Sequence, residues 1–340
     1  MIINKYSIFL FLLLIIVSGC KTERGSNDSK SFPTETDLKA DSVNMDVAIK
    51  PGYIYWADPY IVVSDDFSNR DRHFCVFDRN LKYLYSFCDK GNGPDECLLP
   101  IVVKNAPYGK FYVKDVATKT LHTYDLTDSG AIKGEKFEIK EFQPFEGLFE
   151  INSVNDSLVL AKGLAPKRAV RRLINFKQNT VVDSLPQSFD LAKTMGEDYH
   201  TEFDDCWVVT NSNEFVCAYS FIDRLEFGEI KDNAIKIRKA IGMDTPPEFH
   251  LYTQETLQGK YEYNVLYNIL YYEWLFGSQK NVYAGYFGRP WGDIDFHSSQ
   301  IEKYTYTGEP EGKYNLDIPL GSFIVPNDSI IIGLNPNRSD

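Results

Sequence analysis

The sequence predicts an all-β protein, a six-bladed β-propeller whose last blade is closed by the N-terminal segment. Aromatic residues make up 14% of the chain, with 23 Phe and 22 Tyr, which is typical of strands. A polar turn followed by a short apolar strand recurs six times, with equivalent positions 47 to 67 residues apart. Spacings of about 40–50 residues are typical of propeller blades, and six similar units favour radial repetition over a β-sandwich.

The chain begins with the pattern of a bacterial lipoprotein signal peptide, which we assign to residues 1–19. Lys5 supplies positive charge, and the apolar run from Ile8 to Val17 is too short to span a bilayer as a mature helix. Small residues precede Cys20, which is the predicted lipidation site. Because two or more acyl chains give stable anchoring, we expect the protein to be attached to a lipid bilayer through Cys20.

The predicted location is therefore the cell envelope, and the outer membrane is the expected membrane. Both a periplasmic and a surface-facing anchor are compatible with the pattern. Residues 20–46 comprise the lipidated cysteine and a segment rich in Ser, Thr, Asp, Lys and Asn, which predicts a flexible tether. The propeller is assigned to residues 47–340.

The six repeats share a polar turn and the apolar strand after it, and their equivalent positions are Ile61, Phe111, Leu158, Phe215, Val282 and Ile330. The first five are followed by a second hairpin signal, which predicts four strands per unit. Only ten residues follow Ile330, too few for two outer strands, whereas Met45 to Trp56 contains apolar segments with no other partner. We therefore expect the N-terminal segment to complete the last blade and to protect its edge.

A resemblance to a known family rests on the first repeat, where Phe77 to Phe87 runs into Gly91-Asn92-Gly93-Pro94-Asp95-Glu96. This segment resembles the six-bladed, TolB-like β-propeller lipoproteins of gut bacteria, whose first blade ends in a Gly-x-Gly-Pro-Gly-Glu-like turn. Here Asp95 stands where that family usually has glycine. The resemblance implies a propeller on a lipid anchor, with binding rather than catalysis as its role.

Two segments are candidate binding sites. In the first, Gly91, Gly93 and Pro94 suit a sharp turn, and Asp95 or Glu96 would contact a ligand if they faced the channel mouth. Glu96 could equally cap amides of a neighbouring blade. The second is a predicted loop that combines aromatic and charged side chains suited to sugar or peptide recognition, namely Tyr286, Phe287, Arg289, Trp291 and Asp293.

The alternative for the second segment is that Phe287 and Trp291 cover the blade edge while Arg289 pairs with Asp293. The aromatic tract that follows Tyr261 and includes Trp274 is interpreted as core packing between blades.

Five cysteines remain besides Cys20, so at least one is unpaired. Cys206 and Cys217 are equidistant from Asn211-Ser212, and a hairpin turning there would place them directly opposite each other, in range of a disulfide. The alternative is two small buried apolar side chains. The spacing of Cys and His matches no metal motif, so neither a metal nor a cofactor is predicted.

The net charge of -12 disfavours binding to nucleic acid or to anionic lipid head groups. The sequence also lacks His-Glu-x-x-His, Gly-x-Ser-x-Gly and a phosphate loop, and no catalytic residue is assigned. The favoured prediction is a propeller that binds a peptide, glycan or protein partner without turnover. One alternative is an envelope glycan lyase or hydrolase with carboxylates in the channel, and another is a scaffold subunit with a broad apolar face.

Overall fold

The computed structural model describes residues 30–43, 45, 47–48, 50–65, 71–138, 148–165, 168–195, 203, 205–249, 252–255, 261–264, 267–292 and 298–335. The predicted signal peptide, Cys20 and the first part of the tether lie outside these ranges. The chain divides into residues 1–31 and a second unit, residues 32–340, to which all elements below belong. Within the described ranges, none of the helices has the length and apolar character needed to cross a bilayer.

Almost all regular structure is β. A short strand, β1 (Glu35–Leu38), comes first. The first sheet consists of β2 (Ile54–Ala57), β3 (Tyr60–Ser64), β4 (Arg72–Phe77) and β5 (Tyr83–Asp89). The second consists of β6 (Pro100–Lys104), β7 (Lys110–Asp115), β8 (Thr120–Thr127) and β9 (Gly130–Glu138). The third consists of β10 (Leu148–Ser153), β11 (Leu158–Ala165), β12 (Arg168–Asn175) and β13 (Thr180–Pro186).

A short helix, α1 (Leu191–Met195), precedes the fourth sheet. That sheet consists of β14 (Cys206–Asn211), β15 (Glu214–Tyr219), β16 (Arg224–Lys231) and β17 (Ala234–Gly242). A separate hairpin follows, with β18 (Tyr252–Glu255) and β19 (Tyr261–Asn264). The fifth sheet consists of β20 (Ile269–Gly277), β21 (Asn281–Pro290), β22 (Ser298–Thr305) and β23 (Pro310–Leu320). The last pair is β24 (Ser322–Ile324) and β25 (Ile332–Leu334), with a 3-10 turn, Pro326–Asp328, between them.

Within each four-stranded sheet, consecutive strands pair in antiparallel order. The first strands of successive sheets are spatial neighbours: β6 pairs in parallel with β10, which lies beside β14, and β14 lies beside β20. The series continues from β20 to β24 and from β24 back to β2. The first strands therefore surround a common channel, and the prediction of an all-β propeller is confirmed.

The sequence repeats match this architecture. Ile61, Phe111, Leu158, Phe215 and Val282 each fall in the second strand of a four-stranded sheet. Ile330 lies just before β25, the second strand of the last pair. The described residues thus form five four-stranded units and a two-stranded sixth unit, with β1 added to the edge of the fifth and the β18–β19 hairpin separate from them.

The N-terminal segment pairs differently from the expectation. Ile54–Ala57 is the first strand of the first sheet, and β1 pairs in parallel with β23 of the fifth sheet, with Glu35 opposite Lys313. No described residue between 45 and 53 forms a strand with β24 or β25. Met45 and Ala48 instead pack their side chains into the apolar cluster that contains Phe323. The physical reason is that β23 offers a free edge, where the Asn315 amide donates to Glu35 and Asp37 at 3.0 and 2.9 Å.

The core is divided into clusters between neighbouring sheets. Phe74 of the first sheet and Phe111 of the second belong to one cluster, and Leu160 of the third and Phe215 of the fourth belong to another. The two-stranded unit packs between the fifth sheet and the first, and Phe323 is wholly buried there. Burial between sheets, rather than within them, is what joins the units into a ring.

Candidate functional site

The channel contains a cavity at the carboxyl ends of the first strands. Its volume is about 420 Å³, counting the space open to solvent at its mouth, and its walls include Trp56, Lys104, Phe111, Trp274 and Ile324. They come from the first, second and fifth sheets and from β24.

Aromatic rings form one side of this site, and Trp274 is at their centre. Tyr53 stacks on Trp274 with ring centroids 5.4 Å apart and an interplanar angle of 12°. Trp207 lies 5.1 Å from Trp274, and Tyr55 lies 6.2 Å from it. The Trp274 indole N–H donates to the Phe323 carbonyl at 2.7 Å, which fixes the ring's orientation. Tyr53 is 41% exposed, so its ring presents an apolar face to solvent above a rigid base.

A single ammonium group lies against these rings. Lys104 Nζ is 4.2 Å from the Trp274 ring centroid and 4.8 Å from that of Trp207, both within cation–π range. The same Nζ is 3.1 Å from Glu150 Oε2, and both side chains are mostly buried. We call Tyr53, Tyr55, Lys104, Trp207 and Trp274 the channel cluster.

The charges continue into the interface between the third and fourth sheets. Glu150 lies opposite Lys162 in the pairing of β10 and β11, and Lys162 forms an ion pair with Asp205. Burial acts to lower the pKa of Lys162, but the Asp205 carboxylate outweighs it and the pKa of Lys162 is raised. Lys162 is therefore a fixed cation at neutral pH. Beside Lys104, the buried amide of Asn152 has no hydrogen-bond partner within the described protein.

The predicted turn motif is held by its own contacts. Glu96 Oε2 accepts a hydrogen bond from the Gly93 amide at 2.7 Å, so the carboxylate caps its own turn rather than a neighbouring blade. A Cβ at Gly93 would lie 2.9 Å from Glu96 Cδ, which explains the glycine. Lys133 Nζ lies 3.0 Å from Asp95 Oδ1, and Lys136 donates to the Pro94 carbonyl at 3.0 Å. These contacts attach the turn to β9, and none of its described residues lines the channel cavity.

The predicted recognition loop is largely strand. Tyr286, Phe287 and Arg289 belong to β21, and Gly288, with φ of 65°, lies between the last two. Phe287 is buried in the cluster between the third and fourth sheets, and Trp291 packs edge-on against Phe221 at 5.6 Å. Arg289 lies over the Phe287 ring at 4.7 Å. Asp293 lies outside the described residues, so its predicted pairing with Arg289 stays a prediction.

Cys206 and Cys217 are both buried, free thiols. The hairpin turns at Ser212-Asn213, one residue later than predicted, so Cys206 lies opposite Tyr219 and Cys217 lies opposite Val208. The expectation that the two cysteines lie directly opposite each other is therefore wrong. Their side chains still touch along the diagonal of the strand pair.

Sequence reasoning missed the channel cluster. Lys104 is the last residue of β6, and Trp207 is the second residue of β14. A charged side chain or an indole on a first strand indicates a surface other than the core between blades, and this was the available signal. Trp274 is indeed buried, as predicted for its tract, but one face also lines the cavity. Among the described residues, no group of three or more His, Cys, Asp or Glu side chains converges as a metal site.

No protein-family model and no curated protein matches this chain. Among solved structures, the chain is similar to a protein of Bacteroides fragilis NCTC 9343 described as exported, with a TM-score of 0.51 and 14% identity over 83% of this chain and 80% of that chain. A β-propeller domain, Cps50 (Swd1) of Myceliophteria thermophila, aligns with a TM-score of 0.44 and 8% identity over 88% of this chain and 97% of that chain. The first similarity shows a shared fold and carries nothing about activity.

Proposed function

We propose that this chain is an exported, membrane-anchored lipoprotein whose propeller binds a peptide, glycan or protein partner at the channel mouth, without catalysis. The channel cluster is the observation that carries this proposal. It combines an exposed aromatic ring, Tyr53, stacked on Trp274, with a charged pair, Lys104 and Glu150, beside a cavity that Lys104 and Trp274 line. Aromatic faces stack on sugar rings or apolar side chains, and the charges set orientation.

The charged pair supports binding rather than hydrolysis. Glu150 is held by the Lys104 ammonium at 3.1 Å, so this carboxylate is already engaged in an ion pair within the protein. A glycosidase needs two carboxyl groups flanking the scissile bond, one of them protonated. Along the described cavity walls, the charged side chains are those of Lys104 and Lys110.

Binding is tested with purified protein, a panel of oligosaccharides and a panel of short peptides, measured by isothermal calorimetry. For any binder found, Trp207→Ala and Tyr53→Ala should each weaken affinity about tenfold, the equivalent of about 1.4 kcal/mol. Tyr83→Ala is the matched control, because Tyr83 is a 38% exposed aromatic on an outer strand away from the channel. Equal affinity in all three variants would remove the channel cluster from the proposal, and steady turnover of any oligosaccharide or peptide would contradict its non-catalytic role.

Anchoring is tested separately. Cells expressing the chain should carry it in the membrane fraction and incorporate labelled palmitate, and Cys20→Ala should abolish both. A Cys20→Ala chain that still fractionates with membranes and is still labelled would exclude Cys20 as the anchor.

A further inference from the structure

Two thiols meet in the core between the first and second sheets. Cys88 lies near the end of β5, and Cys97 follows the Gly91–Glu96 turn. The Cys97 amide donates to the Asp89 carbonyl at 2.9 Å, and the Gly91 amide donates to the Cys97 carbonyl at 3.1 Å. The chain therefore folds back on itself, and Cys88 and Cys97 are both buried in the same apolar cluster.

The backbone at Cys88 is in an unusual conformation. Its φ is 65°, in the left-handed region that a residue with a Cβ seldom adopts. Such a conformation persists only where the surroundings impose it, and residues held this way are concentrated at functional sites. Here it directs the Cys88 side chain into the buried cluster that also contains Cys97.

A histidine lies on the other side of Cys97. His122 is buried on β8, and its Nε2 is 2.9 Å from Thr120 Oγ1. Hydrogen bonds continue from Thr120 through Thr118 to the Asp115 carboxylate, at 2.7 and 2.8 Å. The hydrogen bond from Cys88 and the contact with His122 together lower the pKa of the Cys97 thiol. A thiolate is the reactive form of cysteine, so Cys97 is the nucleophile of the pair.

The other cysteines offer a comparison within the same chain. Cys206 and Cys217 also touch, but they occupy diagonal positions of a regular strand pair, where the Cα separation is larger than between opposite residues. Cys75 Sγ lies 3.5 Å from Ser86 Oγ. Cys88 and Cys97 are thus the pair that shares one buried cluster, has His122 nearby and includes a residue with positive φ.

We propose that Cys88 and Cys97 form a redox pair that is oxidised to a disulfide once the chain leaves the cytoplasm. This inference rests on the export stated in the proposed function, because disulfides persist in oxidising compartments. The Cys97 thiolate attacks one sulfur of an oxidant's disulfide, which releases one thiolate and forms a mixed disulfide. The Cys88 thiol then loses its proton and displaces the second thiolate. Two S–H bonds are lost, one S–S bond forms, and two electrons reduce the oxidant, a protein disulfide or oxidised glutathione, to two thiols.

The Gly91–Glu96 turn lies between the two cysteines in the chain. Because Cys97 is wholly buried and Cys88 is 4% exposed, oxidation requires a local opening, which we assign to the turn. Lys133 and Lys136 hold the turn shut through its Asp95 and Pro94 carbonyls, at 2.6 and 3.0 Å. The turn that the sequence singled out as a ligand contact therefore acts as a cover for the thiols.

The test uses the purified, fully reduced chain in glutathione buffers of increasing oxidising potential. Each sample is quenched by acid, alkylated with N-ethylmaleimide in denaturant and mapped by mass spectrometry. We expect a Cys88–Cys97 cross-linked peptide at potentials where Cys206 and Cys217 are still alkylated, and faster oxidation in a Lys133→Ala, Lys136→Ala variant. Alkylation of both Cys88 and Cys97 in every buffer, up to pure oxidised glutathione, would overturn the proposal.

Two variants sharpen this test. Cys88→Ser should leave Cys97 as a thiol that reacts with maleimide faster than Cys206 at mildly acid pH, whereas Cys206→Ser should keep the Cys88–Cys97 bond. Wild-type mapping alone decides the matter if Cys88→Ser does not fold. Because the assay is done in solution, it does not depend on export. A bond that forms in glutathione but is missing from cell-derived protein would refute export and leave the pairing intact.

Discussion

Two interfaces between neighbouring sheets are stabilised by different interactions. Between the first and second sheets, Phe74, Phe87, Phe111 and Tyr124 interlock edge to face, with ring centroids 5.0 to 5.6 Å apart. Between the third and fourth sheets, the wholly buried Arg171 donates to Tyr219 at 2.8 Å and to Glu226 at 2.7 Å. The first interface is held by apolar area, whereas the second also depends on matched charges. The comparison teaches that one architecture accepts either chemistry, provided that every buried charge has its partner.

The charged interface should show the largest loss when one partner is removed. Glu226→Ala leaves Arg171 buried beside Tyr219 without its carboxylate, and Nε and Nη1 of Arg171 already have no partner within the described protein. We expect a loss of about 3–5 kcal/mol in the free energy of unfolding, measured by urea denaturation.

A double variant separates the ion pair from the packing around it. Replacing both Arg171 and Glu226 by Met removes both charges, so the loss should be smaller than for Glu226→Ala alone. A double variant that is less stable than the single variant would show that net attraction, rather than the cost of an orphaned charge, holds this interface.

The aromatic interface should respond less strongly and without any dependence on charge. Phe74→Leu keeps an apolar side chain but removes the edge-to-face contact with Phe111, at 5.2 Å. We expect a loss of about 1–3 kcal/mol by the same measurement, unchanged by salt. A salt-dependent loss would show that charge also stabilises the aromatic interface and would contradict this comparison.

Acid should weaken the charged interface and leave the Phe74–Phe111 contact unaffected. Burial acts to raise the pKa of Glu226, but Arg171, a hydrogen bond with Ser188 and Arg224 together outweigh it, so the folded-state pKa lies below the ordinary value. The stabilisation is therefore present above the ordinary glutamate pKa of about 4.3 and is lost as the pH falls through the folded-state value, by about 1.4 kcal/mol per unit of depression. In urea titrations at falling pH, the difference in the free energy of unfolding between wild type and Glu226→Gln should narrow. The difference between wild type and Phe74→Leu should stay constant.

Local patterns allowed the fold to be predicted. Each repeat is a turn and an apolar strand within a few residues, so Ile61, Phe111 and their equivalents could be placed before the structure was known. The pairing of β1 with β23 joins Glu35 to Lys313, and nothing local in either segment specifies the other. The Cys206 hairpin shows the same limit at short range, since a turn displaced by one residue changes which side chains are opposite.

The site was less accessible to prediction because it is assembled from distant strands. Lys104, Trp207 and Trp274 come from three sheets, and no local pattern in their strands links one to another. The segment from Tyr286 to Trp291 had the composition of a recognition loop, yet most of it continues β21, with its aromatic rings turned into the core. Composition indicated aromatic recognition, but only the three-dimensional arrangement distinguished rings that face the channel from rings that face a neighbouring sheet.

The strand at the outer edge of the fifth sheet also bears on solubility. An open outer strand is a template on which other molecules stack, and β1 occupies that position on β23 with only four residues. Two of the four are the carboxylates Glu35 and Asp37, so a second molecule approaching this rim meets repulsion from like charge, as expected for a chain with a net charge of -12. Removal of residues 30–38 should therefore promote association at high protein concentration, which light scattering would detect before any change in the fold.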